Sequence, residues 1–247
     1  FYFAAIHHSS DDKKINSYKT IIDSNIINFL APIYFLQIIY KYHSKCKFFF
    51  ASSSLIFNNS REIKTEKSIL KPKEIYSLTK ASTMNLIDFY RNSLNLFVNV
   101  GIFFNHESEF RKEKFLSKKI VKTAVANYKG SNLKLKISNL KAKIDWGSAY
   151  DYMDAVILLQ NQKKSDNYII ATGKTHSILD FVKITYNYLG LDYKKYTLGN
   201  NNKLTRNSTY RCGNPYKLQK LTGWKPKKSF KVMIEDMINY ELKNESK

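Results

Sequence analysis

The strongest constraint on the fold is a set of short apolar runs without hydrophobic alternation, separated by longer helical patterns. FYFAA (1–5), KFFFAS (47–52), LFVNVGIFF (96–104) and NYIIAT (167–172) place apolar residues at successive positions. Neighbouring side chains on a strand point to opposite sheet faces, so such strands must be covered on both sides. Residues 15–42, 76–93, 115–129 and 151–162 carry helical spacing between them. Strands alternating with helices predict an α/β fold, a parallel sheet with helices on both faces. Further helices near 177–189, 214–222 and 229–243 predict a smaller mixed lobe over the strand ends, where open α/β sheets bind ligands.

With 247 residues, 43% of them apolar, the chain can bury a sizeable core. Its 15% aromatic content is incompatible with a disordered chain. Eight Gly, four Pro and two Cys exclude collagen-like and disulfide-scaffold classes. Cys46 and Cys212 have no metal-ligand spacing, and Phe1 to Ser10 lacks the basic start and apolar run of a secretory signal. A reduced, cytoplasmic setting is expected. The chain opens with Phe rather than Met, so a fragment of a longer protein is also expected. Its longest apolar run, IINFLAPIYFLQIIY (26–40), contains Asn28, Pro32 and Gln37 and falls short of the roughly 20 residues of a membrane span. It predicts a buried helix kinked or interrupted near Pro32, with no membrane partner.

Forty-one Lys and Arg against 20 Asp and Glu give a net charge of +21. The lysines are spread from Lys13 to Lys247, with no compact basic block interleaved with aromatics, so no nucleic-acid partner is expected. The charge suits an anionic small substrate such as a nucleotide. The first glycine is Gly101, so residues 1–100 hold no Gly-rich phosphate loop. A dinucleotide fold needs such a loop after its first strand. Either the chain does not bind a dinucleotide, or the first βα units lie outside this sequence.

Ser52, Ser53 and Ser54 follow the strand KFFFA at its carboxyl end. IYSLTKAS then puts Tyr76 and Lys80 four residues apart, on one face of a helix. A tyrosine near pKa 10 becomes a usable base when an adjacent ammonium favours its phenolate. The phenolate can take a hydroxyl proton while a nicotinamide accepts hydride from the same carbon, and a serine can hold the developing carbonyl oxygen. Taken alone, a Tyr and Lys four apart read more readily as a solvated helix face, and the serine-bearing strand end upstream and the strand downstream weigh the other way. His7 and His8 point in different directions on a strand, Trp146 and Trp224 read as packing residues, and His43 and His176 as surface or turn residues. No metal site is assigned.

Five segments in order, ASSS (51–54), YSLTK (76–80), GIFFNHES (101–108), DWGSAYDYMDA (145–155) and IIATGKTHSILDFV (169–182), resemble the GDP-mannose 4,6-dehydratases. These belong to the extended short-chain dehydrogenase/reductase family, with its NAD-dependent epimerases and dehydratases. GNPYKLQKLTGWKPKKSF (213–230) is similar to the C-terminal segment of the group. The resemblance implies a Rossmann-like parallel sheet lacking its first βα units in 1–105, and a mainly nucleotide-sugar-binding lobe in 106–247. About 145–172 returns to the first domain. It implies NADP as cofactor (NAD as the alternative), a GDP-mannose-like nucleotide sugar as substrate, and a homo-oligomer. By the same resemblance Ser53, Tyr76 and Lys80 are catalytic. Ala4 and Ala5 pass beside the cofactor, and Tyr76, Lys80, His106 and Arg111 contact it. Asn105, Lys119 and Arg206 face the substrate, Arg206 through its diphosphate.

The chain also departs from the group. Leu55 stands where the group has a proton-moving Glu, two residues after the catalytic Ser or Thr. Ile144 replaces an Arg before DWG, and Asn58 a Gly after the strand. The implied reaction oxidises sugar carbon 4, eliminates water across carbons 5 and 6, and returns the hydride to carbon 6, a lyase reaction with no net redox change. Ser53, Tyr76 and Lys80 account for the first step. An epimerase or reductase of the same superfamily, which does not need the Glu, is the alternative expectation; a binding-only, inactive homologue is another.

Overall fold

A computed structural model describes residues 1–7, 17–199 and 209–244. The first sheet holds β1 (Phe48–Ser53), β2 (Val98–Phe103) and β6 (Asn167–Ile170) in the order β1-β2-β6, all parallel. Every residue of β2 is buried, as the unalternating run LFVNVGIFF demanded. Gly101 lies in this strand because a Cβ there would meet the Phe49 ring at 2.5 Å. The opening FYFAA segment is less regular than expected. Only Tyr2 joins the sheet, through one parallel bridge to Phe50, with Tyr2 N donating to Phe49 O (2.8 Å) and Ala51 N to Tyr2 O (3.1 Å).

The helices flanking this sheet come from the predicted stretches. α1 (Tyr18–Asn25) runs through a π turn at Ile26–Leu30 into α2 (Ala31–Tyr42), and α3 (Ile75–Ser93) lies beside them. The interruption falls before Pro32 rather than at it. Pro32 would crowd the carbonyl of Asn28 in a regular α-helix. The π turn relieves this: Ala31 N bonds to Ile26 O, and the Asn28 carbonyl instead accepts the Thr83 hydroxyl at 2.8 Å. This helix is buried on one face only. Leu36 is fully buried, whereas Tyr34, Phe35 and Ile38 are exposed. Tyr18–Tyr42 is 25 residues, long and apolar enough by length and composition to cross a membrane, which corrects the shorter segment read from the sequence. Its inner face nevertheless packs against α3 and the sheet, around Leu36, Ile39, Ile87 and Val100.

The second half is built on shorter pairings. β3 (Asn105–Glu107) runs parallel to β5 (Lys143–Ser148), which also pairs with β7 (Thr175–Ser177) antiparallel and β9 (Tyr210–Arg211) parallel. β4 (Leu135–Ile137) pairs with β8 (Thr197–Gly199) in parallel. α4 (Leu116–Tyr128), α6 (Ile178–Tyr188) and α9 (Phe230–Asn244) pack into one core with Trp146. α7 (Tyr193–Tyr196) edges this core, and an ion pair from Lys118 to Glu241 joins α4 to α9. α5 (Ala149–Gln160) and α8 (Tyr216–Thr222) cover the other face of the first sheet, with Phe49, Phe103 and Ile170 beneath them. Trp224 packs there, its indole N–H on Asp151 O at 2.9 Å. His176 lies in β7 rather than a turn and is half-buried, its ring stacked on Phe230 with centroids 4.0 Å apart.

Candidate active site

The carboxyl ends of β1 and β2 open into a cavity of about 690 Å³, within the range of small-molecule sites. Ser53, Tyr76 and Lys80 line it together. Ser53 is the last residue of β1, where the chain leaves the sheet for a short 3₁₀ turn at Ser54–Ile56. Tyr76 and Lys80 occupy the first two turns of α3. Its N-terminus is fixed by a capping box, in which the Glu74 carboxylate accepts from Ser77 N and the Ser77 hydroxyl accepts from Glu74 N.

The electrostatics differ from the expected ammonium–phenolate pair. Burial pushes the Tyr76 pKa above 10, and a hydrogen bond with Ser53 and the charge of Arg111 pull it partway back. The Lys80 ammonium is itself disfavoured. Burial lowers its pKa to about 7, with Nζ 4.6 Å from the Phe50 ring centre and 5.9 Å from that of Tyr76. No hydrogen-bond partner reaches Lys80 Nζ or the nearby Ser52 hydroxyl, although both are buried. Buried polar atoms are satisfied in the great majority of cases, so these two mark a place for a ligand rich in hydroxyl groups. The ribose of a dinucleotide fits that description. Tyr76, Lys80, Ala5, His106 and Arg111 all line this cavity.

The strand-end segment is held against α3 by a buried amide. Asn28 Oδ1 accepts Ile6 N at 2.9 Å, and its Nδ2 donates to Ile6 O (3.1 Å) and the Thr79 hydroxyl (3.2 Å). Next to Ile6, the His7 ring lies on Tyr76 with centroids 4.4 Å apart, and on Phe115 at 5.5 Å. Arg111 covers Phe115, its guanidinium carbon 3.8 Å from the ring centre. Ala5 lines the cavity from this segment, whereas Ala4 is exposed and does not.

Asn105 and His106 enter from β3. His106 donates from Nδ1 to the Phe104 carbonyl (2.9 Å), and burial lowers its pKa to about 4, so the ring is neutral at pH 7. Glu107 faces inward beside it. It accepts the Ser117 hydroxyl at 2.7 Å and forms an ion pair with Arg111, Nε 3.1 Å away; burial raises its pKa, and Arg111 offsets part of that. Lys119 reaches the cavity from α4. Arg206 lies outside the described residues.

Several lining residues were not singled out from sequence. Arg211, on β9, is largely buried, which lowers its pKa, and the charge of Glu74 acts against that shift. Lys136 from β4 adds a second cation. Leu55 and Ile144 also line the cavity, so both departures from the group's pattern fall inside the site. Asn58 instead accepts Lys64 Nζ at 2.6 Å. Asp145, from the DWG segment, is fully buried and gathers the loops around the site. Its carboxylate accepts Thr172 N (2.9 Å), Thr172 Oγ1 (2.5 Å), Gly173 N (2.9 Å) and Gly213 N (3.3 Å). Among the described residues, no group of three His, Cys, Asp or Glu side chains is placed to hold a metal ion.

Comparison with known proteins gives a consistent answer. The sequence model of GDP-mannose 4,6 dehydratase matches residues 16–237. GDP-mannose 4,6 dehydratase 2 of Arabidopsis thaliana is 32% identical over 197 residues, covering 79% of this chain and 53% of its own length. The human GDP-mannose 4,6 dehydratase is 34% identical over 145 residues, 58% of this chain and 39% of its own. The chain thus spans about half the length of the curated relatives it matches. RMD from Pseudomonas aeruginosa, complexed with NADPH, superposes with a TM-score of 0.83 at 17% identity, over 92% of this chain and 76% of its own. UDP-glucuronic acid 4-epimerase from Bacillus cereus, complexed with UDP-glucuronic acid and NAD, does so at 0.84 and 15%, over 99% and 75%. These two likenesses establish the fold. The match across residues 16–237 establishes more: the chain belongs to the GDP-mannose 4,6-dehydratase family.

Proposed function

We propose that this protein is a nucleotide-sugar dehydratase that converts GDP-mannose to GDP-4-keto-6-deoxymannose. The observation that carries the reading is the cluster of Ser53, Tyr76 and Lys80 around a cavity in which Lys80 Nζ and the Ser52 hydroxyl lack partners. Residues 1–105, with 145–172, are assigned to the cofactor side, and 106–247 mainly to the sugar nucleotide. The NADPH and NAD of the superposable structures support a nicotinamide dinucleotide, with NADP preferred on family grounds. Bound there, the cofactor supplies an acceptor for the carbon-4 hydride and later a donor of hydride to carbon 6.

The protein's own groups do the rest. Tyr76 takes the proton from the carbon-4 hydroxyl, and Ser53, which lines the cavity with it, holds the same oxygen as it becomes a carbonyl. Lys80, whose Nζ has no hydrogen-bond partner, would donate to the ribose hydroxyls. A proton gained there restores the ammonium beside the phenolate, which lowers the cost of ionising Tyr76. Asn105 and His106 close the nicotinamide side, with Ala5 on the strand end before Ile6. Arg111 holds Glu107 and borders the cofactor. Lys119, Arg206 and Arg211 supply positive charge for the diphosphate.

The test is to incubate the protein with GDP-mannose and NADP and follow the mass of the nucleotide sugar. A product lighter by one water, lost in Tyr76→Phe by a factor of about 10²–10⁴, is expected. Binding of GDP-mannose without any such product would overturn the reading. A second reading, an epimerase or reductase of the superfamily, is favoured by Leu55 in the cavity wall. It predicts a sugar of unchanged mass or one reduced by two hydrogens.

A further inference from the structure

Loss of water from a 4-keto sugar needs a group that removes the carbon-5 proton and delivers a proton to the departing carbon-6 hydroxyl. That requirement rests on the dehydratase reading, and the cavity narrows the candidates. Leu55 cannot transfer a proton. Tyr76 already holds the carbon-4 hydroxyl proton when the elimination begins and cannot take a second, and His106 has a pKa of about 4 with Nδ1 tied to a carbonyl. The carboxylates that line the cavity among the described residues are Glu74 and Glu107. Glu107 is 2% exposed and engaged by Arg111 and Ser117.

Glu74 is differently placed. It is the N-cap of α3, two residues before Tyr76, exposed and facing the cavity across from Arg211. Its carboxylate accepts a single hydrogen bond in the capping box, from Ser77 N, which leaves lone pairs for a substrate.

We propose that Glu74 is the acid–base group of the elimination, doing from the helix N-cap what Leu55 cannot do from the strand end. Once Tyr76 and the nicotinamide have taken the carbon-4 proton and hydride, the carbon-5 hydrogen is acidified by the adjacent ketone. The Glu74 carboxylate takes that proton, and the C5–H electron pair becomes the C5=C6 bond. The C6–O bond breaks with its electron pair on oxygen. The hydroxide leaves as water with the proton that Glu74 held, so Glu74 ends as the carboxylate it began as. Hydride return to carbon 6 and protonation of carbon 5 by Tyr76 complete the balance.

The test compares the parent protein with Glu74→Gln, given GDP-mannose and NADP in deuterated water. Glutamine keeps an acceptor oxygen for Ser77 N and therefore the cap, but transfers no proton. In the parent, product lighter by one water carries solvent deuterium at carbon 5. In Glu74→Gln, GDP-mannose binding stays within about threefold and a burst of reduced nicotinamide absorbance appears, while water loss falls about 10²–10⁴-fold. Glu74→Asp is expected to recover part of the rate. A Glu74→Gln protein that dehydrates the sugar within about threefold of the parent overturns the assignment and leaves the dehydratase reading intact. A parent protein that binds the sugar and never dehydrates it overturns both.

Discussion

Two buried polar clusters in this chain look alike in composition and differ in one respect. Asp145 sits at the joint of β5, the loop after β6 and the loop after β9, and its carboxylate is saturated by Thr172, Gly173 and Gly213. The Cys212 thiol lies 3.9 Å from the same carboxylate, and burial and that charge push its pKa up to about 11. Lys80 Nζ and the Ser52 hydroxyl are just as deeply buried and have no hydrogen-bond partner. The first cluster spends its hydrogen bonds on the fold. The second holds them in reserve, which is the signature of a site that expects a ligand.

The largest break of this comparison is Asp145→Leu. It removes the acceptor of three backbone N–H groups, Gly213 N buried and Thr172 N and Gly173 N part-buried, each costing about 1–3 kcal/mol where water does not replace it. A loss of about 4 kcal/mol in denaturant unfolding is expected, enough to take a marginal domain most of the way to unfolding. A loss below about 1 kcal/mol would show that the loops around the site are held by something else.

A smaller and opposite effect is expected at the other cluster. Lys80→Met keeps the length of the side chain and removes an unpaired charge, so the fold gains about 1–2 kcal/mol at pH 7 and below. The pH dependence has a definite sign. Lys80 titrates near pH 7 in the fold and at 10.5 when unfolded, so between those values the unfolded chain holds the extra proton. Stability therefore rises with pH across that window, and Lys80→Met flattens the rise. A melting series from pH 6 to 10 on both proteins checks it; parallel curves would mean that Lys80 has a partner in the fold.

The same contrast explains what was legible in the sequence. Tyr76 and Lys80 could be placed because helical spacing makes residues four apart neighbours, and Ser53 because strand ends collect chemistry in parallel sheets. The long strands and helices were legible for the same reason, their period. The pairings β3–β5, β5–β7 and β5–β9 were not, because two or three residues carry no period. Arg211 and Glu74 line one cavity from 137 residues apart in sequence, near enough for the charge of Glu74 to act on Arg211, and only tertiary structure brings such a pair together. Asp145 was seen as part of a motif, yet its partners are backbone amides, which have no letter in a sequence. The π turn at Ile26–Leu30 was sensed through Pro32 and displaced from it, because the strain of a proline falls on the carbonyl four residues earlier.

The most direct measurement of the central claim, that the unsatisfied cluster is a cofactor site, is to identify the nucleotides released when the purified protein is denatured. The parent and Lys80→Met, both produced in the protein's own cells, are compared by mass spectrometry. The account predicts NADP or NAD from the parent and at least a tenfold smaller yield from Lys80→Met, even though that variant is the more stable protein; tenfold corresponds to about 1.4 kcal/mol of lost binding. Equal release from the two proteins, or none from the parent, would contradict it.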